Sequence, residues 1–248
     1  MLPFKRILFP VDFSPQSCGA ARYVEAFAGR FEAELTLLHV VELPRYNDLM
    51  PESPGQQRAR LDSFLHKELE YFRVERITTE GEAATQILRV ARQRHADLIM
   101  MPTHGLGPFR RFLIGSVAAK ILHDADCPVW TGVHMESAPA LEKIELHRVL
   151  CAIDTEPHAA TVLASAKEFT GEYKAELNVV HVCESGESRE AVQKLAGNQA
   201  VLFETGEIPQ AVSAAASRLH ADLLIIGRRG QTHTYPILRQ SPCPVISV

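Results

Sequence analysis

The chain of 248 residues has few cysteines and lacks any long apolar run. Its five cysteines are an odd number without a C-x-x-C pair, which argues against a disulfide framework or a thiolate zinc site. No apolar stretch reaches the roughly 18 residues of a membrane span, and the opening MLPFKRILFPVDF holds too short an apolar segment for a signal peptide. We therefore expect a cytoplasmic protein that does not associate with a membrane.

A strong charge of either sign is also missing. Lys and Arg number 26 against 30 Asp and Glu, for a net charge of −4, and 46% of the residues are hydrophobic. This composition excludes a disordered chain and argues against a polyanion-binding role for the chain as a whole, so we expect no nucleic-acid partner. At roughly 150 residues per domain, the length fits one large domain or two small ones.

Two tight nucleotide motifs are absent as well. There is no G-x-x-x-x-G-K-[ST], and Gly105-Leu106-Gly107 lacks the third glycine of the dinucleotide fingerprint. Paired carboxylates, a nucleophile with its base and a dedicated metal cluster are not recognisable either. The sequence therefore supports neither a Walker-type NTPase nor a nicotinamide enzyme, and it favours a binding module.

What is present is an internal repeat. RILFPVD from Arg6 matches RVLCAID from Arg148, and AELTLLHV from Ala33 matches AELNVVHV from Ala175, both shifted by 142 (148 − 6 and 175 − 33). Two later matches have smaller shifts: HADLIMM at His95 with HADLLII at His220 (125), and CPV at Cys127 with CPV at Cys243 (116). The second copy thus lacks 17 residues (142 − 125) after its second strand and 9 (125 − 116) before its last strand.

Each copy alternates short β-branched runs with longer amphipathic stretches, which is typical of βαβ units around a buried parallel sheet. We predict two α/β domains, 1–136 and 147–248, joined by the polar linker Ser137–Leu146. In copy one the predicted strands are 6–11, 34–40, 73–78, 97–101 and 128–133, and the predicted helices are 15–29, 56–71, 82–94 and 115–123. In copy two the strands are 148–153, 176–182, 200–203, 222–226 and 244–248, and the helices are 157–170, 187–196 and 207–219.

Local signals refine these bounds. Pro15 after Ser14 favours a first helical turn, and Gly29 and Gly81 favour breaks. In copy two, a helix between the last two strands has little room. Five strands per copy suit a doubly wound sheet, in which ligands bind at the carboxyl ends of the strands.

The segment MPTHGLGPFRRFLIGS, which ends at Ser116, carries the strongest functional signal. Glycines let a backbone approach a ligand closely, and the loop runs into a helix start at Gly115-Ser116, where free N–H groups favour phosphate. The alternative is that Gly105 and Gly107 form a plain turn while Ser116 only caps the helix.

Charged residues near this segment have two interpretations each. Arg110 and Arg111 lie inside the loop and would offset phosphate charge, or they belong to a solvated loop. Asp12 follows the first strand, where ligands of open sheets bind, although it could merely cap the next helix. His39 ends the second strand, and we interpret it as a satisfied core residue rather than a ligand.

Together these segments resemble the universal stress protein family. The resemblance is carried by PVDFS at Pro10, HV at the end of the second strand, the THG loop, a nine-residue spacer before Gly115-Ser116, and the closing CPV. It covers nearly the whole chain as a tandem pair. It implies Rossmann-like domains of the adenine nucleotide alpha hydrolase type, each a five-stranded parallel sheet of order 3-2-1-4-5. Many such proteins bind ATP through a G-x-x-G-x9-G-[ST] loop.

The resemblance also implies a set of nucleotide-contacting residues. Those that would hold phosphates and ribose are Gly105, Gly115 and Ser116, and those that would border the adenine or shape its turn are Pro10, Val11, Asp12 and Val40. Pro102 stands where the motif has its first glycine, so an amide N–H is lost there. Arg110 and Arg111 would compensate for that loss.

Copy two keeps the first half of the motif and loses the rest. Gly227-Arg228-Arg229-Gly230 matches G-x-x-G, but the following QTHTYPILRQSP has no Gly-Ser pair and no room for the spacer. Asp154 remains at the position equivalent to Asp12. We therefore expect one nucleotide, ATP or AMP, in copy one, with Mg²⁺ accompanying ATP.

The resemblance further implies that the copies pair. Family members commonly associate through their final strands, which here are VWTGV and PVISV. An exposed apolar edge invites pairing, so we expect an intramolecular pseudo-dimer, with further homo-oligomerisation left open. The alternatives to a nucleotide-binding stress-response protein are a slow ATPase and a scaffold that binds no nucleotide.

Overall fold

The computed structural model describes residues 4–42, 53–103, 114–133, 135–183, 189–228 and 233–248. These residues divide into two compact units. The first unit holds the described residues up to Val129 together with 135–144, and the second holds 130–133 together with the described residues from Glu145 onward.

Helices and strands alternate along both halves. The first half contains β1 (Arg6–Pro10), α1 (Pro15–Phe31), β2 (Glu34–Val41), α2 (Pro54–Ser63), β3 (Val74–Glu80), α3 (Ala83–Gln93), β4 (Leu98–Pro102), α4 (Ser116–Asp124) and β5 (Val129–Gly132). The second half contains β6 (Arg148–Ala152), α5 (Ala159–Tyr173), β7 (Glu176–Val182), α6 (Arg189–Ala196), β8 (Val201–Glu204), α7 (Ile208–Arg218), β9 (Leu223–Ile226), α8 (Thr234–Gln240) and β10 (Val245–Ser247). The predicted α/β fold is confirmed.

In the first unit the strands run parallel in the order β3-β2-β1-β4. The segment that leads into β5 lies beside β4, because the N–H of Ile99 donates to the carbonyl of Pro128 at 3.0 Å. Every residue of β4 is buried, as expected for a strand covered by helices on both faces of its sheet. This arrangement places the carboxyl ends of β1, β2 and β4 side by side.

In the second unit the order is β8-β7-β6-β9-β10, again parallel, so both copies follow 3-2-1-4-5. The repeat extends to backbone detail. Left-handed residues recur at equivalent positions, Glu32 with Lys174 (φ 50° and 54°) and His95 with His220 (φ 50° and 49°). Because L-residues rarely adopt this conformation, its recurrence at equivalent positions shows that the two copies share the same local backbone structure.

Several element bounds differ from the predictions by a few residues, and three differences are larger or more informative. The helix predicted over 56–71 ends at Ser63, because Arg76 of β3 donates through Nε to the Leu61 carbonyl (3.1 Å) and through Nη2 to the Phe64 carbonyl (3.1 Å), and Leu65 then turns left-handed (φ 52°). Helix α1 continues two residues past Gly29 and ends at Phe31. The prediction of little room before the last strand was wrong, since α8 occupies it with seven residues.

The predicted linker is a packed segment rather than a free one. Two 3₁₀ turns, Met135–Ser137 and Leu141–Lys143, lie against α1 in the first unit. Arg22 of α1 donates through Nη1 to the carbonyls of Ala138 and Pro139. A Cβ on Gly19 would lie 1.6 Å from the Met135 carbonyl oxygen, so only a glycine allows this approach.

Within the described parts of the chain, no helix has the length and hydropathy needed to cross a bilayer. All five cysteines lie in those parts, and none forms a disulfide.

Candidate functional site

A cavity of about 490 Å³ opens at the carboxyl ends of β1, β2 and β4 in the first unit. Its size falls within the usual range of small-molecule sites. The cavity brings together six of the residues predicted from sequence, namely Pro10, Val11, Asp12, Val40, Gly115 and Ser116. The other three, Gly105, Arg110 and Arg111, lie outside the described residues.

Asp12 occupies the turn that follows β1. Its carboxylate oxygen Oδ1 accepts from the N–H of Ser14 at 3.0 Å and from Oγ of Ser17 at 2.7 Å. Ser17 is almost fully buried, whereas Asp12 is half-buried and lines the cavity. The carboxylate is therefore fixed in place at the cavity wall.

The helix after this turn is capped by Ser14 rather than by Asp12. Ser14 precedes Pro15, and its Oγ accepts from the N–H of Ser17 at 3.1 Å. The predicted start of α1 is thus confirmed, and the alternative in which Asp12 caps the helix is wrong. Asp12 is left to line the cavity.

Phe13, in the same turn, has a strained backbone conformation. Its φ of 61° is left-handed, a conformation that costs an L-residue about 1–2 kcal/mol. Its ring compensates by packing, with centroids 4.5 Å from His39 and 5.2 Å from Phe64, and with the Arg60 guanidinium 4.3 Å from the ring centre. The strained residue is held by contacts with β2 and with the end of α2.

His39, at the end of β2, also lines the cavity. Its Nδ1 lies 2.9 Å from the carbonyl oxygen of Val11, and because a carbonyl can only accept, Nδ1 carries the hydrogen. The N–H of Val11 in turn donates to Leu38 at 2.8 Å, so both backbone groups of Val11 are used within the protein. His39 is satisfied at Nδ1, as predicted, yet its half-exposed ring belongs to the cavity wall.

The N-terminus of α4 forms the opposite wall. Its N-cap is Gly115, which has no side chain to make a capping hydrogen bond, so the interpretation of Ser116 as a cap is wrong. The first helical bond runs from Ala119 to the Gly115 carbonyl at 2.9 Å, which leaves the N–H groups of residues 116–118 without acceptors inside the helix. By contrast, α1, α2 and α3 are capped by Ser14, Ser53 and Glu82.

Pro102 ends β4 and lines the cavity next to Thr103. A proline has no N–H, so this position offers a ligand no backbone donor. The carbonyl of Thr103 accepts from the N–H of Gly115 at 2.8 Å, which ties the end of β4 to the start of α4 across the loop between them.

Charge divides the cavity. The charged side chains among its described lining are Asp12 and Glu42, and both are acidic. A phosphate would be repelled at the Asp12 end and attracted to the uncapped start of α4, where the helix carries partial positive charge. Across the described residues, no three His, Cys, Asp or Glu side chains are grouped so that they could hold a metal ion.

Among the residues of the cavity wall that sequence reasoning missed are Ser17 and Gln57. Ser17 orients Asp12, and the pattern Ser14-Pro15-Gln16-Ser17 after the aspartate was the available signal. Gln57 lines the cavity from α2. Nothing in its local sequence distinguishes it from its neighbour Gln56, whose side chain instead accepts from the backbone N–H of Ser53 in the capping box of α2.

Copy two arranges the equivalent turn differently. Oδ1 of Asp154 accepts from Glu156 at 3.0 Å, and Oδ2 lies 3.4 Å from Nε2 of His158. The His158 ring lies so close to Gly227 that a Cβ there would be 2.6 Å from Nε2. His181 repeats the His39 contact, with Nδ1 3.0 Å from the Ile153 carbonyl.

Comparison with known proteins agrees with the fold and the motifs. A universal stress protein of Methanocaldococcus jannaschii is 30% identical over 137 residues, covering 51% of this chain and 80% of the relative. The crystal structure of a universal stress protein from Archaeoglobus fulgidus matches 98% of this chain and 96% of its own, with a TM-score of 0.79 and 22% identity, which establishes a common fold. Another universal stress protein, crystallised in complex with cAMP, matches 54% of this chain and 99% of its own at 19% identity and a TM-score of 0.42, and it identifies no ligand here.

The match to a family model is the most direct of these findings. The model describes the universal stress protein family and matches residues 3–131, which is 129 positions (131 − 3 + 1) and more than half of the 248. Those positions include β1, the Asp12 turn, the cavity wall from β2, and the start of α4. The chain therefore belongs to the universal stress protein family.

Proposed function

We propose that the first copy binds one adenine nucleotide, ATP or AMP, in the cavity between the Asp12 turn and α4, and that the chain acts as a binding module rather than an enzyme. The observation that carries this proposal is the shared cavity. Two segments about 100 residues apart in the sequence, Pro10–Asp12 and Gly115–Ser116, line one space of about 490 Å³. Each segment also belongs to a motif that the resemblance to the universal stress protein family associates with nucleotide contacts.

The distribution of charge supports one orientation of the nucleotide. The uncapped N–H groups at the start of α4 favour the phosphates. Asp12 would repel phosphate, but its carboxylate suits the hydroxyl and amino donors of a ribose and a base. The phosphates therefore lie toward Ser116 in this proposal, and the base lies toward Val11 and Val40.

Two further features of the proposed site come from the sequence. Arg110 and Arg111 supply positive charge to the phosphates, since the described lining contains none. We assign the Mg²⁺ that accompanies ATP to the phosphate oxygens, because Mg²⁺ is commonly bound in large part through substrate phosphates.

The test uses the intact chain. Ligand released from freshly purified protein is identified by mass spectrometry, and ATP, AMP and adenosine are then titrated into the emptied protein. We expect an adenine nucleotide in the released fraction and saturable binding of ATP or AMP. The absence of binding by either nucleotide contradicts the proposal and favours a scaffold.

Hydrolysis is tested on the same sample. ATP is incubated with the protein for hours, with and without Mg²⁺, and ADP is quantified. A binding module leaves ATP intact, whereas steady ADP formation that disappears in Gly115→Glu would assign a slow ATPase to this site.

The pairing of the two copies through VWTGV and PVISV, and any homo-oligomer beyond it, stay predictions of the sequence. Light scattering of the purified chain with and without ATP measures the number of chains per particle.

A further inference from the structure

The turn after the first strand contains a strained residue in copy one but not in copy two. Phe13 has a φ of 61°, whereas Thr155, its equivalent in copy two (13 + 142), does not adopt the left-handed conformation. A strained backbone persists only where the surrounding structure holds it, and such residues concentrate at functional sites. Copy one must therefore contain contacts that hold Phe13 in this conformation.

Those contacts come from residues that are distant in the sequence. The ring of Phe13 packs against the rings of His39 and Phe64, and the Arg60 guanidinium lies 4.3 Å from its centre. Phe64 and Arg60 belong to the connection between β2 and β3, which has 32 residues (73 − 41), against 18 residues (200 − 182) between β7 and β8. The support of Phe13 thus depends on a connection that is much shorter in copy two.

The two copies also begin their first helix at different points. Helix α1 begins at Pro15, and the N–H of Cys18 donates to the Ser14 carbonyl at 3.0 Å. In copy two Pro157, the equivalent of Pro15 (15 + 142), precedes the helix, because α5 begins at Ala159. The copy with the left-handed residue therefore enters its helix two residues earlier (157 against 159 in the numbering of copy two).

The early start of α1 places Ser17 in the first turn of the helix. There its N–H donates to Oγ of Ser14 at 3.1 Å, and its own Oγ donates to Oδ1 of Asp12 at 2.7 Å. Asp12 and Ser17 line the cavity. The conformation of Phe13 is thereby connected, through the start of α1, to the carboxylate at the cavity wall.

We propose that Phe13 is a positioning residue for the adenine nucleotide. Its ring contacts with β2 and α2 hold the left-handed conformation, and that conformation lets α1 begin early enough for Ser17 to fix the Asp12 carboxylate. Because this inference rests on the proposed function, its test compares variants of one position and also follows the turn in the absence of nucleotide.

The first part of the test compares two substitutions that both remove the ring. Phe13→Ala keeps a Cβ, so the left-handed turn loses its support, and the ATP affinity should fall about tenfold. Phe13→Gly adopts a positive φ without a steric penalty, and it should bind ATP about fivefold more tightly than Phe13→Ala. A ring that serves only packing predicts the opposite order, because glycine is smaller and more flexible than alanine.

The second part removes one of the supporting rings. Phe64→Ala should weaken ATP binding about fivefold in the wild-type chain and should have no further effect in the Phe13→Gly chain, where the ring that it supports is missing. The control is Phe72→Ala, which removes another half-buried ring of the same connection, one that lies near Gly29 instead, and it should keep the wild-type affinity.

The third part follows the turn without nucleotide. Exchange of the Ser17 amide hydrogen, measured by NMR, should be faster in Phe13→Ala than in Phe13→Gly, because the hydrogen bond to Ser14 depends on the turn.

Three results decide between these possibilities. Tighter ATP binding and slower Ser17 exchange in Phe13→Gly than in Phe13→Ala support the inference. If Phe13→Ala binds ATP as tightly as Phe13→Gly does, the inference is overturned and the proposed function stands. If the wild-type chain binds neither ATP nor AMP, the proposed function itself fails, and the inference fails with it.

Discussion

The two copies share a turn after their first strand but differ in what lies beside it. In copy one Asp12 is held by Ser17, and a cavity separates the turn from α4. In copy two the position equivalent to Ser17 is Ala159 (17 + 142), and the residue before it, His158, turns its ring toward Asp154 and Gly227. The same backbone therefore carries a ligand-sized space in one copy and a packed imidazole in the other.

The two copies also differ in the residue at the end of the fourth strand of each sheet. Gly227 is equivalent to Pro102 (102 + 125), and only a residue without a Cβ leaves room for the His158 ring. Gly227 thus fits the family's glycine pattern, yet the contact that it permits here is with a side chain. A motif residue can be retained for packing after the rest of its motif has been lost.

The largest expected effect is at the start of α4. Gly115→Glu places a carboxylate where phosphate is proposed to bind, and like charges at such distances cost several kcal/mol, so ATP affinity should fall at least about 100-fold. The matched control is Gly55→Glu, at the start of α2, where an added side chain meets open space. Both affinities are measured by calorimetry. Wild-type binding by Gly115→Glu would show that α4 does not receive the phosphates.

A second prediction concerns the packed site of copy two. Gly227→Ala pushes a methyl group into His158, and overpacking of this kind should lower the free energy of unfolding by about 2 kcal/mol. The control Gly171→Ala adds its methyl group in open space on α5 and should raise stability by about 0.5–1 kcal/mol. Chemical denaturation measures both.

The cause of this effect can be isolated with a double variant. His158→Ala combined with Gly227→Ala should recover most of the lost stability, because the clash needs both side chains. Additive effects of the two substitutions would mean that His158 does not fill the space beside Gly227.

A smaller effect is expected where copy one is made to resemble copy two. Ser17→Ala creates the residue type found at position 159 and removes the hydroxyl that donates to Asp12. The loss of one such hydrogen bond should weaken ATP binding about fivefold, or about 1 kcal/mol. Ser217→Ala, at an exposed position of α7, serves as the control. An unchanged ATP affinity in Ser17→Ala would remove Ser17 from the site.

The smallest expected effect is a difference in reactivity between the thiols of Cys18 in copy one and Cys151 in copy two. Burial, with further contributions from Asp12 and Glu68, raises the pKa of the Cys18 thiol, whereas burial raises the pKa of Cys151 to about 12. A raised pKa delays thiolate formation, so alkylation of Cys18 in the native protein should still accelerate above pH 9.0, the ordinary value. Cys151 should stay unmodified. A Cys18 rate that levels off below pH 9.0 would contradict the assigned environment.

The fold could be predicted because its signals are local or repeated. The apolar runs, the Ser14-Pro15 helix start and the two copies of HADL were visible in the sequence, and each is reproduced by the structure. The early end of α2 was not visible, because it depends on Arg76 reaching from β3 to the carbonyls of Leu61 and Phe64. No local pattern encodes a contact of that kind.

The candidate site likewise has some residues that the sequence could predict and others that it could not. The turn at Asp12 and the helix start at Gly115-Ser116 have recognisable sequence patterns, so their meeting in one cavity could be anticipated. Gln57 and the filling of the second site by His158 depend on which side chains the folded chain brings together. The roles of Gly105, Arg110 and Arg111 stay predictions, since these residues lie outside the described ranges.

The stoichiometry of nucleotide binding tests the contrast between the copies most directly. Isothermal titration of the intact, ligand-free chain with ATP, repeated with AMP, gives the number of sites per chain. We expect a value near one for the nucleotide that binds, and no binding in Gly115→Glu. A value near two would show that copy two binds despite its packed His158, and a value of zero for both nucleotides would contradict nucleotide binding by copy one.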